Sequence, residues 1–191
     1  MIEPIGLASK SPRRSELLSR LGVPFEVIEN DVEEIRASEE TPADYVVRLA
    51  REKAFAGSIH SGLTTIGADT IGVIDDCVLE KPCDRDDAFA MWDRMGGRWH
   101  DILTAVAVSD STRTESVLVS SRVRFAKMSI AEKEAYWHTG EPADKAGGYG
   151  IQGVGGVFVE QIEGVYDAVV GLPLHETKRL LRAFNVKVMG E

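Results

Sequence analysis

The sequence predicts an α/β protein, one domain over residues 1–191 with two lobes around a mixed β-sheet flanked by helices. Short β-like runs alternate with capped helical stretches along the chain, the pattern of a sheet covered by helices. Two long strand candidates meet at a polar turn near residue 110, so part of the sheet must be antiparallel. No internal repeat, low-complexity tract or long Pro/Gly/Ser linker divides the 191 residues, and the usual domain size of about 150 residues favours one domain.

Taken in order, residues 4–8 form a short apolar run, a first strand. Ser11 and Pro12 then supply an N-cap and a first-turn proline for a helix that carries Leu17, Leu18 and Leu21 and stops at Gly22. Residues 24–29 read as a strand, and the acidic stretch 29–40 as a solvated loop. Thr41, Pro42 and Asp44 open a second helix whose inward stripe holds Tyr45, Leu49 and Lys53, four residues apart. A lysine on that stripe is the anomaly. Residues 64–69, 71–74 and 77–79 read as three strands, the last two joined by a turn at Asp75-Asp76. Asp84 caps a helix presenting Ala88, Met91, Trp92 and Met95, which Gly96-Gly97 end. The long hairpin occupies 100–109 and 115–125. Ser129 and Glu132 make a capping box for a helix reaching Thr139 and ended by Gly140. A glycine-rich loop follows, then a strand over 157–162 and a last helix over 173–184 with Leu174, Thr177, Leu181 and Phe184 inward.

With 43% hydrophobic and 28% charged residues the chain has material for a sizeable core and is no disordered polyelectrolyte. Twenty-two Lys and Arg against 31 Asp and Glu give a net charge of −9, which argues against nucleic acid as the main ligand. An anionic substrate must then be held by a local cluster of cations. Cys77 and Cys83 lie outside the spacing of zinc knuckles and redox pairs and read as reduced thiols of a cytosolic protein. Neither a signal peptide nor a membrane span is expected. Arg13-Arg14 does not begin a twin-arginine signal, because Glu16 and Arg20 interrupt the segment behind it.

Three segments could carry chemistry. In Ser9-Lys10-Ser11-Pro12-Arg13-Arg14, arginines sit at the positive end of a helix, where an anion would turn a local penalty into a binding site. The same segment also reads as a solvent-exposed basic turn. In Gly67-Ala68-Asp69-Thr70 an aspartate closes an apolar strand, where burial costs several kcal/mol unless it is paired or binds a metal. A turn or cap aspartate is the alternative. Lys53 and Lys81 could bring cations to the same cleft, and alone either would read as a snorkelling surface lysine. In residues 140–153, Gly148, Gly150 and Gly153 spell a formal GxGxxG, but no apolar strand precedes it and no helix pattern follows. That loop reads instead as a substrate loop whose glycines admit close backbone approach. The four histidines show no metal-ligand spacing, and neither a P-loop nor a nucleophile elbow is present.

Together these residues resemble the Maf family of nucleoside triphosphate pyrophosphatases. The match runs through LASKSPRRSELL at 7–18, GADT at 67–70, EKP at 80–82, DKAGGYGIQG at 144–153 and VVGLPL at 169–174, in family order. The resemblance implies a Maf/ITPase-like fold. It also implies a cytoplasmic enzyme, dependent on a divalent cation, Mg2+ or Mn2+, that cleaves the bond between the α- and β-phosphates of a nucleotide, usually as a homodimer. By the family's pattern Asp69 is the catalytic base and shares the metal with Glu34, while Ser9, Arg14, Lys53 and Lys81 surround the phosphates. Arg13, Thr70 and Gln152 resemble the branch acting on dTTP and UTP. A neutral Gln152 amide can both donate to O4 and accept from N3–H of a pyrimidine. A non-catalytic nucleotide-sensing regulator of cell division would use the same cleft, but has little use for a carboxylate at Asp69 beside the phosphates.

Overall fold

Residues 3–190 are described by the computed structural model; Met1, Ile2 and Glu191, which the expected 1–191 domain includes, lie outside the described residues. Strand β1 (Ile5–Leu7) leads into α1 (Pro12–Ser19), and β2 (Phe25–Val27) is followed by a loop and the long α2 (Pro42–Ser61). Then come β3 (Thr65–Ile74), β4 (Cys77–Leu79), α3 (Arg85–Met95), and the long strands β5 (Arg98–Ser109) and β6 (Thr114–Phe125). The chain closes with α4 (Ile130–Trp137), three short 3-10 turns, β7 (Val159–Glu163), α5 (Tyr166–Val170) and α6 (Leu174–Ala183). The strands make one seven-stranded sheet in the order β2-β1-β3-β5-β6-β7, with β4 paired to β3. β1 is parallel to β2 and β3, whereas β3–β4 and β6–β7 are antiparallel, so the sheet is mixed. The α/β class and the mixed sheet are therefore as the sequence predicts.

The chain gathers into two compact units. One comprises the residues up to Thr70, Thr104–Val119 and the residues from Asp167 onward; the other comprises Ile71–Leu103 and Ser120–Tyr166. In the first, Leu17 and Leu18 of α1, Val46, Leu49 and Ala50 of α2, and Leu180 and Leu181 of α6 are buried. Gly67 of β3 lets α2 approach to backbone contact, since a Cβ there would fall on the Ala50 carbonyl and the Ala54 amide. In the second unit the core is aromatic. Trp92 is fully buried beside Tyr136, with ring centroids 5.3 Å apart, and its indole N–H donates to the Gly148 carbonyl at 3.1 Å. His100 is 2% exposed and its Nε2 lies 2.7 Å from the Tyr149 hydroxyl. Burial pushes its pKa down to about 4, so the ring is neutral.

Local chemistry accounts for the boundaries. The Thr41 side chain accepts from the Asp44 amide, Asp84 from Asp87, and Ser129 with Glu132 closes the expected capping box. Asp75 and Asp76 both adopt positive φ, 51° and 59°, the left-handed pair that a two-residue β3–β4 hairpin needs. Two expectations require correction. The runs 64–69 and 71–74 are one strand, because Asp69 and Thr70 find polar partners and the ladder continues through them. The segment before β7 is a 3-10 turn over Val154–Phe158, which delays the strand to Val159. The sequence assigns no element to the short α5, since five residues are too few to show a helical period. Among the described residues no helix is long and apolar enough to cross a membrane.

Candidate active site

Asp69 stands in the middle of β3 and not at a strand end, which corrects the sequence expectation. A carboxylate inside an apolar strand persists only if something compensates its burial. Lys53 does so. On α2 it follows Tyr45 and Leu49 along the buried face, and its ammonium donates to Asp69 Oδ1 at 2.7 Å and to Glu34 Oε1 at 2.5 Å. The lysine and aspartate side chains are 7% and 10% exposed, while that of Glu34 is 49% exposed, so the cluster is sealed on one side and open on the other. The anomalous lysine on the helix stripe thus has its reason.

Glu34 comes from the loop expected to be simply solvated. Beside the Lys53–Glu34 bond, side chains of α2 hold that loop: the Tyr45 hydroxyl donates to the Glu34 carbonyl at 3.0 Å, and Arg48 donates to the Ile35 carbonyl at 2.9 Å and to both Glu40 carboxylate oxygens at 2.7 and 2.9 Å. The Arg48 guanidinium holds the Glu40 carboxyl below its ordinary pKa. The rest of the acidic run is exposed, as composition suggests.

Arg14 occupies the first turn of α1 and is held from three directions. Its Nε donates to the Gly171 carbonyl at 2.9 Å, and its Nη atoms donate to Ser9 Oγ at 3.1 Å and Thr70 Oγ1 at 3.3 Å. Burial pulls its pKa down, the Asp69 charge opposes that pull, and Arg13 adds to it. The Thr70 hydroxyl also lies 3.0 Å from that of Thr104, which donates to the Ala168 carbonyl at 2.7 Å. Thr70 is therefore committed to Arg14 and Thr104 by its polar atom. Ser9, 6% exposed, accepts from Arg14 and from the Ser11 amide. Arg13 is half-buried and makes no side-chain hydrogen bond among the described residues.

Ser9, Arg13, Arg14, Glu34, Lys53, Asp69 and Thr70 thus share the first unit, and all but Arg13 are tied into two hydrogen-bonded groups, one around Lys53 and one around Arg14. Lys81 and Gln152 belong to the second unit. Both are exposed and make no side-chain hydrogen bond among the described residues. The glycines around Gln152 admit close approach, as expected, but of this chain's own side chains: a Cβ at Gly153 would meet the Glu141 carboxylate, and one at Gly155 the Tyr136 hydroxyl. Sequence reasoning missed Thr104 and Gly171. The signal at Gly171 was present in the GLPL run: its φ is 128° and its carbonyl receives Arg14. Thr104 gave none beyond a lone hydroxyl in an apolar strand.

An ammonium between two carboxylates, with a guanidinium and hydroxyls close by in the same unit, is chemistry for an anion and for a cation that bridges oxygens. A Maf-like protein family model matches residues 4–184 of this chain. A Vibrio cholerae protein named dTTP/UTP pyrophosphatase is 52% identical over 185 residues, covering 96% of this chain and 99% of that one. A protein of the same name from Saccharophagus degradans is 52% identical over 187 residues, covering 95% of this chain and 89% of that one. Among solved structures, a nucleoside-triphosphatase / dITP/XTP pyrophosphatase from Mycobacterium abscessus aligns over 72% of this chain and 94% of that one at 18% identity and a TM-score of 0.46. With a family model spanning nearly all of its length and relatives identical at half of their positions, the chain belongs to the Maf-like protein family.

Proposed function

We propose that residues 1–191 act as one nucleotide pyrophosphatase domain that hydrolyses dTTP and UTP to the monophosphate and pyrophosphate. The buried Lys53 ammonium shared by Glu34 and Asp69 is the observation that carries this reading, because a carboxylate kept inside a strand beside fixed cations suits water activation next to phosphates. The names of the relatives supply the substrates.

In this mechanism Asp69 takes the proton of the water that attacks the α-phosphorus. Arg14, Lys53 and Lys81 hold the phosphate oxygens and offset the charge gathering on the departing pyrophosphate, and Ser9 adds a hydroxyl donor. Glu34 and Asp69 offer only oxygen donors, which fits Mg2+ or Mn2+ completed by phosphate oxygens and water. A divalent cation bound there would supply further charge neutralisation and lower the pKa of water. Arg13, Thr70 and Gln152 form the base-selecting set, with Gln152 matching the donor and acceptor pattern of a pyrimidine edge. The working form is a cytoplasmic homodimer.

Catalytic efficiencies over a panel of dTTP, UTP, dCTP, dGTP and 7-methyl-GTP with Mg2+ test the reading. The two pyrimidine nucleotides with an O4 should lead by at least about tenfold, the usual return on one matched buried hydrogen bond. A flat profile would remove the base-reading role from Gln152.

A further inference from the structure

The turn that carries Gln152 is fastened at both ends by two side chains without a part in the mechanism above. At its start the Gly150 amide donates to the Tyr136 hydroxyl at 3.1 Å. At its end the Val154 amide donates to Glu141 Oε2 at 2.9 Å and the Gly155 amide to Oε1 at 3.0 Å. The two fasteners are joined, since the Tyr136 hydroxyl donates to Glu141 Oε1 at 2.7 Å. All of these groups belong to the second unit.

Only Ile151, Gln152 and Gly153 lie between the fastened amides, and the Gly153 amide closes the turn on the Gly150 carbonyl at 3.1 Å. Tyr136 is 2% exposed, packed against Trp92 and Phe158 at centroid distances of 5.3 and 5.4 Å, so it is a rigid post. Burial pushes the Glu141 carboxyl up, but the Gly155 and Val154 amides, the Tyr136 hydroxyl and Lys145 together hold it below its ordinary pKa. The fastener is thus an ionised carboxylate, the stronger kind of acceptor. Glycine at 150 and 153 is what lets the carboxylate come so close, and glycine at 155 does the same for the Tyr136 hydroxyl. The result is a fixed backbone with an exposed, uncommitted Gln152 carboxamide, and an orientation fixed in advance costs no ordering when the ligand arrives.

We propose that Glu141, through its bonds to Tyr136 and to the turn 150–155, is a positioning residue for base selection. It sets the direction in which the Gln152 carboxamide meets the nucleobase. This rests on the reading of Gln152 as the residue that reads the pyrimidine edge.

The test is steady-state kinetics of Glu141→Gln, Tyr136→Phe and Gln152→Ala on dTTP, UTP and dGTP, with thermal melts to show that each variant is folded. A loosened turn should raise KM for dTTP and UTP by roughly tenfold, leave kcat within about twofold, and leave dGTP unchanged. Folded clamp variants with wild-type KM values, or with kcat lowered equally on all three nucleotides, would overturn the proposal. If Gln152→Ala shifts the preference and the clamp variants do not, only the positioning role falls. If Gln152→Ala shifts nothing, the reading of Gln152 falls and takes this inference with it. Should Glu141→Gln not fold, Tyr136→Phe decides, because it removes the two bonds of the hydroxyl, from the Gly150 amide and to Glu141, and keeps the ring.

Discussion

At the scale of single residues, the site depends on how buried charge is compensated. Asp69→Asn keeps the shape of the side chain but removes its negative charge and its strength as a base. Turnover should fall at least about 10²-fold while the melting temperature and nucleotide binding stay close to wild type. Near-normal turnover in the folded variant would move the base elsewhere, with Glu34 next in line. A second residue-scale outcome concerns stability. His100 is neutral in the folded state, with its pKa lowered by burial from 6.5 to about 4, so the unfolded chain binds a proton first as the pH drops. Its contribution is complete above about pH 6.5 and is lost progressively toward about pH 4, which amounts to about 2 kcal/mol between pH 7.5 and pH 5. Urea titrations at those two pH values should show a correspondingly smaller drop for His100→Gln; equal drops would mean that His100 is protonated in the folded protein. Much of the site was legible at this scale because charge in the wrong place is legible: Lys53 on an apolar stripe and Asp69 among small apolar residues both announced a partner. Glu34 could be singled out from its acidic neighbours only by the family resemblance, since composition does not say which carboxylate of a loop turns inward.

At the scale of elements, position is set by how closely α2 and β3 pack. Gly67 places the helix backbone on the strand, so the Lys53–Asp69 distance of 2.7 Å depends on a missing side chain two residues before the aspartate. Gly67→Ala should destabilise the fold by about 1–3 kcal/mol and reduce turnover, because the helix must move outward and carry Lys53 with it. Denaturation midpoints and rates together check this, and an unchanged rate in a destabilised variant would show that the cluster tolerates the shift. Caps and turns were the most legible elements. Thr41, Asp84, Ser129 with Glu132, and Asp75-Asp76 each act through local hydrogen bonds or backbone conformation that four residues can encode. Continuity of β3 was not legible. Asp69 and Thr70 interrupt the apolar pattern, and the partners that allow the strand to run through them lie far along the chain, at Lys53, Arg14 and Thr104.

For the whole molecule, a net charge of −9 goes with a small group of fixed cations, a combination that favours a compact anion over an extended polyanion. Parallel pairing of β1 with β2 and β3, beside the antiparallel pairs β3–β4 and β6–β7, makes the mixed sheet that the sequence predicts without telling which strands pair which way. The division into two units at points inside strands β3, β5 and β6 has no compositional mark and could not be read from it. Which bond is cleaved decides the mechanism, and phosphorus NMR of the products of dTTP hydrolysis with Mg2+ reads it out. Cations set around a departing pyrophosphate predict dTMP and pyrophosphate in equal amounts and no dTDP. Orthophosphate accumulating with dTDP would contradict the account.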